Sequence, residues 1–173
     1  MTEQEAPRHL VVMRHAKAEP YASTDHARRL TDRGRSDARA AGRHLVDAGL
    51  VPDHAVVSDA QRTRDTWDEV AAEVGCGDVV RYDRTVYGGG VDAIIEALAV
   101  APAASRTLVL VGHNPTAAHL CHTLDDSDGE PDAVSGLLRG FPTSALVVFE
   151  VAVPWADLAP ETGRIVDFWA PPR

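Results

Sequence analysis

The chain is poor in cysteine. Cys76 and Cys121 are the only two among 173 residues, and they lie far apart without the spacing of a metal site. This argues against a disulfide framework and favours two free, buried thiols. We therefore expect a cytoplasmic protein.

Long apolar runs are missing as well. Nowhere do about 18 apolar residues follow one another, which is the length that spans a bilayer. Residues 1–8 also contain no apolar stretch like that of a secretory signal. We expect no membrane partner, and we expect residues 1–8 to form a disordered tail.

Basic residues are outnumbered by acidic ones. Seventeen Lys and Arg against 26 Asp and Glu give a formal net charge of −9. The broad positive surface that binds a nucleic-acid backbone is therefore not expected. A basic pocket in such an acidic chain would suit a single small anion better than a polymer.

The residues that are present suggest one α/β domain over 1–173, since 45% are hydrophobic and the length suffices for one core. Strands are predicted over short apolar runs, at 10–13, 55–57, 79–82, 107–111, 145–151 and 164–169. Helices are predicted between them, at 30–49, 59–74, 91–100 and after Pro115. Such alternation implies right-handed crossovers. The expected architecture is a three-layer sandwich with a largely parallel central sheet and helices on both faces.

Residues that cap helices or favour turns refine this pattern. Thr31 is the predicted N-cap of the first helix and Gly49 its stop. The run 87–90, Tyr-Gly-Gly-Gly, is predicted to be a flexible turn. It is not read as a phosphate loop, because no strand feeds it directly and no Lys-Ser/Thr follows. The acidic stretch 125–131 is predicted to be an exposed loop.

Three apolar runs end close to a cation or an imidazole. Arg14 and His15 follow the first, Arg62 lies shortly after the second, and His113 follows the fourth. Because ligands of open α/β sheets bind beyond the carboxyl ends of the strands, these side chains are expected to share one crevice. For Arg14-His15 alone, a loop histidine beside a solvated arginine is an equal alternative.

Two of these residues are predicted at helix N-termini, where the helix dipole and free N–H groups favour an anion. Arg62 falls in a first turn, a position mildly unfavourable for an arginine with a purely structural role. Its neighbour Arg64 points roughly 200° away around the helix, and with Asp65 it is predicted to be a surface charge. Asn114, as an N-cap before Pro115, would hold His113 at a second N-terminus.

Two further readings concern neighbouring side chains. The loop over 16–29 is long enough to border a site, so Lys17 or Arg29 could contact substrate, although a solvated charged face is equally consistent. A zinc site from His113, His119, Cys121 and His122 is disfavoured, because such a dense set on one short helix cannot converge on a tetrahedral ion.

Four motifs occur together in one order: Arg14-His15-Ala16, Ser58 with Arg62 and Thr66, Gly112-His113-Asn114-Pro115, and Phe141-Pro142-Thr143. In this the chain resembles the histidine phosphatase superfamily, and most of all the small SixA-like phosphohistidine phosphatases, over residues 8–169. Ala16 stands where the commoner motif has glycine, and it is small enough to let a phosphate approach the backbone.

The resemblance implies a phosphoglycerate mutase-like fold and a phosphatase that needs no metal or other cofactor. It makes His15 the nucleophile that forms a phosphohistidine intermediate. Arg14 and Arg62 would hold the phosphoryl oxygens, with His113 completing the clamp and Asn114 beside it. The two arginines would also disfavour protonation of His15.

No recognisable sequence motif marks a general acid in this chain. Larger family members use a carboxyl group after the third strand, where this chain has Asp83, Asp92 and Glu96, and Asp92 is the weak candidate. An imidazole leaving group, with a pKa of about 6.5, needs far less protonation than an alkoxide. The expected substrate is therefore a phosphorylated histidine-containing protein.

Three alternatives remain. The enzyme could act on a small phosphorylated substrate, as a phosphomonoesterase or a mutase-like enzyme. It could be a non-catalytic module that binds phosphoanions. It could also be a zinc-binding regulator, which would carry metal when purified.

Overall fold

A six-stranded mixed sheet forms the centre of the computed structural model, which describes residues 6–173. The strands are β1 (Arg8–Arg14), β2 (His54–Ser58), β3 (Val80–Asp83), β4 (Thr107–Gly112), β5 (Leu146–Val151) and β6 (Gly163–Trp169). Their order is β3-β2-β4-β1-β5-β6. The first four are mutually parallel, whereas β5 pairs antiparallel with both β1 and β6. The predicted largely parallel sheet is thus confirmed for its core.

Helices cover both faces of this sheet and complete the predicted three layers. They are α1 (Asp32–Asp47), α2 (Gln61–Val74), α3 (Thr85–Gly88), α4 (Val91–Ala99), α5 (Thr116–Leu124) and α6 (Pro131–Leu138). The α1 and α2 pair packs on one face, and α4, α5 and α6 contribute to the core on the other. Two helices were not predicted. These are α3, where a flexible turn was expected to begin, and α6.

The first helix begins where its sequence predicts. The Thr31 hydroxyl accepts a hydrogen bond from the Gly34 N–H and so satisfies one free donor of the first turn. At the other end α1 stops at Asp47, and Gly49 adopts a left-handed φ of 72°. Gly34 also allows a close approach, because a Cβ there would lie 2.1 Å from the Lys17 carbonyl oxygen.

The central strand β1 is buried on both faces. Val11 and Met13 pack towards α1 and α2, while Leu10 and Val12 pack towards the opposite layer, and all four are fully inaccessible. Burial of each such side chain stabilises the fold by about 1.5–3 kcal/mol. The carboxyl end of β1 is therefore held firmly by the core.

The beginning of the chain differs from the prediction. Arg8, expected in a disordered tail, is the first residue of β1 and pairs with Val151. The rest of the predicted tail includes residues 1–5, which lie outside the described residues. Across 6–173, no helix has both the length and the apolar character needed to cross a bilayer.

Five strands end at one edge of the sheet. The carboxyl ends of β1, β2, β3 and β4 lie there because these strands are parallel. Strand β6 ends there too, since it is antiparallel to β5, which is antiparallel to β1. The pairing of Arg14 with Gly112 sets the two following residues, His15 and His113, side by side.

Candidate active site

The two imidazoles meet at this edge. The His15 N–H donates to the Gly112 carbonyl oxygen at 2.9 Å and so extends the β1–β4 ladder by one bond. The ring centroids of His15 and His113 are 5.3 Å apart, with the planes tilted by 54°. The spacing of the pair therefore follows from the register of two parallel strands.

The His15 ring has a defined tautomer. Its Nδ1 lies 2.7 Å from the Ala16 carbonyl oxygen. A carbonyl can only accept, so Nδ1 carries the hydrogen and Nε2 keeps its lone pair. Burial, against the opposing effect of the Ala16 hydrogen bond and together with the charges of Arg62 and Arg14, lowers the pKa of His15 to about 4. His15 is consequently neutral at pH 7.

His113 is held differently. Its Nε2 forms a 2.7 Å hydrogen bond with the Ser58 hydroxyl, and that hydroxyl also accepts a 3.4 Å bond from the Ala60 N–H. Its Nδ1 is buried and has no hydrogen-bond partner within residues 6–173. Burial, followed by the charge of Arg62, lowers the pKa of His113 to about 3.

Arg14 is fixed by the segment before β5. Its Nη1 donates to the Phe141 carbonyl oxygen at 3.1 Å, and the Asn114 side-chain amide donates to the same oxygen at 2.9 Å. The prediction that Asn114 caps a helix is wrong, because α5 begins at Thr116 and the Asn114–Pro115 peptide bond is cis. The Asn114 side-chain amide instead donates its hydrogen bond to the Phe141 carbonyl oxygen.

Arg62 lies in the first turn of α2, as predicted, and is only 5% exposed. Its Nη1 donates to the Asp25 carbonyl oxygen at 2.9 Å, and its Nη2 donates to the Asp25 carboxylate at 3.2 Å. The Nε atoms of Arg62 and Arg14 are both buried and lack a partner among the described residues.

Ala16 lies in the turn that follows β1 and connects this turn to α2. Its N–H donates to the Thr66 hydroxyl at 3.0 Å, and that hydroxyl donates to the Arg62 carbonyl oxygen at 2.7 Å. The Ala16 side chain is fully buried and packs with Leu30 and Ala38. The methyl group that replaces the commoner glycine hydrogen is therefore accommodated by a small apolar cluster.

Three residues of the site were not singled out in the sequence analysis: Asp25, Arg28 and Tyr87. The Asp25 carboxylate accepts hydrogen bonds from the Tyr87 hydroxyl and from Arg28 Nε, each at 3.0 Å, besides that from Arg62. The Tyr87 hydrogen bond is the main cause that lowers the pKa of Asp25. The Tyr87 ring also meets the His113 ring edge-on at 5.6 Å. The signals available were the many charges of the loop and one aromatic residue before a glycine run.

Several predicted residues lie elsewhere. Asp92 is exposed in the first turn of α4, and no hydrogen bond or ion pair of the described chain links it to either imidazole. Lys17 and Arg29 are both exposed, and Lys17 borders a groove. No group of three potential metal ligands forms within residues 6–173.

The prediction of surface charges at 64 and 65 is wrong for Asp65 and incomplete for Arg64. Asp65 is 5% exposed, and its carboxylate accepts hydrogen bonds from the Leu30 N–H and from Arg35. The Arg64 guanidinium lies 3.9 Å above the centre of the Tyr82 ring. Asp65 thus ties the start of α1 to α2.

The arrangement suits a small anion with several oxygens. The two imidazoles are paired, and both guanidinium groups lie close enough to lower the pKa of His15. Three nitrogens of these four side chains are buried without partners in the part of the chain described. Buried donors of this kind favour an anion that accepts from several of them. The structure therefore brings together the four predicted side chains Arg14, His15, Arg62 and His113.

Comparisons with known proteins agree with this geometry. A profile of the histidine phosphatase superfamily (branch 1) matches residues 10–85. An uncharacterised protein of Mycobacterium tuberculosis is 35% identical over 161 residues, which cover 92% of this chain and 99% of that protein. A candidate phosphohistidine phosphatase SixA from Nakamurella multipartitia superposes with a TM-score of 0.83 at 37% identity, covering 95% of this chain and 96% of the other. A second candidate SixA, from Agrobacterium tumefaciens, gives 0.77 at 28% identity, covering 95% and 99%.

The chain therefore belongs to the histidine phosphatase superfamily. Within that superfamily it is a SixA-like protein with the phosphoglycerate mutase-like fold, as the motifs predicted. The family and the solved neighbours support a phosphatase.

Proposed function

We propose that this phosphatase removes the phosphoryl group from phosphohistidine in a protein, through a phosphohistidine intermediate on its own His15 and without a metal. The observation that carries the proposal is the state of His15. Its Nε2 lone pair is available, its ring is neutral at pH 7, and two arginines lie close enough to lower its pKa. A neutral imidazole beside fixed positive charge suits nucleophilic attack on a phosphoryl group.

In the first step, His15 Nε2 attacks phosphorus. The substrate ring reacts while protonated on its other nitrogen, so a new P–N bond forms as the P–N bond to the substrate breaks and neutral imidazole leaves with the electron pair of that bond. Arg14 and Arg62 stabilise the negative charge on the three equatorial oxygens. We assign the Ser58 hydroxyl as the donor to His113 Nε2, so that the Nδ1–H of neutral His113 is free to donate to one of these oxygens.

In the second step, water attacks the phosphorylated His15. The P–N bond breaks, inorganic phosphate leaves, and the electron pair returns to Nε2. The Nδ1–H bond to the Ala16 carbonyl oxygen is retained throughout, so the ring keeps its orientation for the next cycle.

The environment of the leaving group favours phosphohistidine over an ester. Asp25 is the carboxyl group bonded to the clamp, and its pKa is lowered by the Tyr87 hydrogen bond, so it is ionised at neutral pH and cannot protonate an alkoxide. Asp92 makes no contact with the imidazoles. A phosphohistidine ring protonated on its other nitrogen leaves as neutral imidazole, whose conjugate acid has a pKa of about 6.5, so no strong acid is needed. The names of the two solved neighbours, at 37% and 28% identity, point to the same substrate class.

The decisive experiment is a rapid-quench single-turnover assay with a ³²P-phosphorylated histidine-containing carrier protein. The expected result is transfer of label to the enzyme in a form that is labile in acid and stable in alkali, and that is absent in His15→Ala. His113→Ala should still accept label, but more slowly. Turnover of para-nitrophenyl phosphate and sugar phosphates by the same preparation provides the comparison. Efficient hydrolysis of these esters without reaction of the carrier would overturn the phosphohistidine assignment.

A chelator separates this mechanism from a metal-dependent one. Because every step uses only side chains of the chain itself, we expect turnover to be unchanged after exhaustive dialysis against EDTA. Loss of turnover that zinc or magnesium restores would contradict the proposal. Stoichiometric zinc in the purified protein would instead support the regulator alternative.

A further inference from the structure

A groove of about 620 Å³ lies beside the site. One wall is formed by Lys17 and the first turns of α1, and the other by the end of α6 with residues 140–143. The segment 168–173, which leaves β6 at the same edge of the sheet, completes the lining. We call this cavity the side groove.

The side groove is positively charged although the chain is acidic overall. Its lining includes four cations, Lys17, Arg33, Arg139 and Arg173, and a single carboxylate, Asp37. Asp37 is bound to Arg33 at 2.8 Å, and Arg33 also donates to the Pro172 carbonyl oxygen. Within residues 6–173, the side chains of Lys17, Arg139 and Arg173 form no ion pair. In a chain of net charge −9, three exposed cations without acidic partners in one groove indicate an acidic ligand.

Two segments that line the groove also reach the catalytic end of β1. Lys17 is two residues after His15. Across from it, Pro142 and Thr143 line the groove, and the next residue, Ser144, donates its N–H to the His15 carbonyl oxygen at 3.1 Å. The same segment carries the Phe141 carbonyl oxygen that positions Arg14. A chain lying in the groove would therefore pass close to the phosphoryl site.

The lining suits a peptide better than a free anion. The cations are exposed and spread along the groove, whereas the buried donors that would grip one phosphate lie around His15 and His113. Phe168, Pro142 and Pro171 add apolar surface to the same lining. Apolar and cationic contacts together fit a polypeptide segment that carries acidic side chains.

We propose that the side groove binds an acidic segment of the phosphoprotein whose phosphohistidine reacts at His15; this rests on the proposed function. The groove then selects among phosphohistidine proteins by the charge that flanks the histidine. Small phosphorylated compounds do not reach it and are indifferent to its charge.

The test uses two synthetic peptides of equal length, each phosphorylated on its single histidine by phosphoramidate. One carries four Glu beside the histidine and the other four Gln. At low salt, exposed charge pairs of this kind are expected to raise kcat/KM for the Glu peptide about tenfold over the Gln peptide. Since the charges are exposed, the preference should shrink as salt is raised towards 0.5 M.

The diagnostic variant reverses two cations of the groove, Arg139→Glu with Arg173→Glu. The expected result is loss of the preference for the Glu peptide, with turnover of para-nitrophenyl phosphate unchanged within about twofold. The matched control, Arg43→Glu with Arg164→Glu, has the same net charge. Arg164 lies near the opposite edge of the sheet, paired through Glu150 to His9, and Arg43 lies late in α1. The control should keep the preference.

A binding measurement tests the side groove independently of the proposed phosphohistidine phosphatase activity. Fluorescence anisotropy with the unphosphorylated Glu and Gln peptides measures the groove without any reaction. Equal binding of both peptides by the wild type, or an unchanged preference in the groove variant, overturns the side groove proposal. A thymidine octanucleotide that competes as well as the Glu peptide also overturns it, in favour of a general polyanion surface. If neither phosphorylated peptide is hydrolysed while para-nitrophenyl phosphate is, the proposed substrate class fails and the anisotropy still decides the groove.

Discussion

The site has two halves that are built differently. The strand-borne half consists of Arg14, His15, Ser58 and His113 at the ends of β1, β2 and β4. The loop-borne half consists of Asp25, Arg28 and Tyr87, from the loop before α1 and from α3. His15 is 9% exposed and Ser58 is inaccessible, whereas the Asp25 side chain is 56% exposed.

The two halves differ in what they do: one fixes the reacting groups in position, and the other lies where an anion would enter the site. Ladder hydrogen bonds and a packed core fix the strand-borne groups, and displacing them would disrupt the sheet. The loop-borne groups are joined to the site mainly through side-chain hydrogen bonds to Arg62 and to each other, which cost much less to break. We infer that the strand-borne half performs the chemistry and that the loop-borne half controls which anions reach it.

Arg62, in the first turn of α2, acts on both halves, since it binds Asp25 and its charge lowers the pKa of His15. Its removal should have the largest effect of the changes considered below. Arg62→Ala deletes a phosphoryl-binding cation and the partner of Asp25, and we expect kcat/KM for the phosphorylated carrier to fall about 10³-fold. Arg62→Lys should recover only part of the loss, because an ammonium cannot donate in the planar fork of a guanidinium. Steady-state kinetics with thermal unfolding as a check on folding measure this. If kcat/KM of Arg62→Ala falls by less than about fivefold, Arg62 does not bind the phosphoryl group.

The strand-borne imidazoles should also be visible in the pH dependence of stability. The pKa of His15 is about 4 in the folded protein and near 6.5 in the unfolded chain, so between these values the unfolded state binds the extra proton. The free energy of unfolding should therefore fall as pH decreases from 7 to 5, by about 2 kcal/mol for this one imidazole.

Urea unfolding at several pH values measures this slope, with His15→Gln as the matched variant that cannot titrate. The variant should show a shallower decrease between pH 7 and pH 5. Identical slopes for the two proteins would mean that His15 titrates normally in the fold, and the argument for a neutral nucleophile would lose its basis.

Ser58→Ala tests how the strand-borne half sets a tautomer. Without the hydroxyl donor, His113 Nε2 loses its partner and Nδ1–H is no longer favoured, so kcat should fall about tenfold with KM little changed. Long-range ¹H–¹⁵N spectra of the ring report the tautomer directly. A tenfold fall in kcat with the tautomer unchanged would point to a packing effect in place of a positioning one.

Asp25→Asn is expected to have the smallest effect and the opposite sign. The Asp25 carboxylate accepts one hydrogen bond from the clamp, that of Arg62 Nη2, and repels an incoming phosphate, so its neutralisation should tighten competitive inhibition by inorganic phosphate about threefold. Tyr87→Phe is the matched control, since it removes one hydrogen bond to Asp25 and leaves the charge in place. Weaker phosphate inhibition in Asp25→Asn would show that Asp25 supports the bound anion.

The same division explains what the sequence could predict. Arg14, His15, Arg62 and His113 directly follow apolar runs or open a helix, so local pattern and the parallel-sheet rule together place them at one edge. Thr31 was recognised because N-capping depends on residues three positions apart. These features depend on short-range information.

The contacts that were missed depend on long-range pairing. Asp25 meets Arg62 and Tyr87 across 37 and 62 residues, and nothing in its immediate neighbourhood distinguishes it from the other loop charges. Asp65 was misjudged because its partners lie far away in the sequence, Leu30 just before α1 and Arg35 within it. Asn114 has the side chain of an N-cap, but its amide is used by Phe141. In each case tertiary context overrode local chemistry.

The bond from the His15 N–H to the Gly112 carbonyl oxygen has a consequence for durability. Because the spacing of the imidazoles is a product of main-chain pairing in the most deeply buried strands, it survives for as long as the sheet itself does. Heat or denaturant can loosen the outer loop early and reversibly. The reacting geometry should disappear only in the final cooperative transition, so that inactivation and global melting coincide.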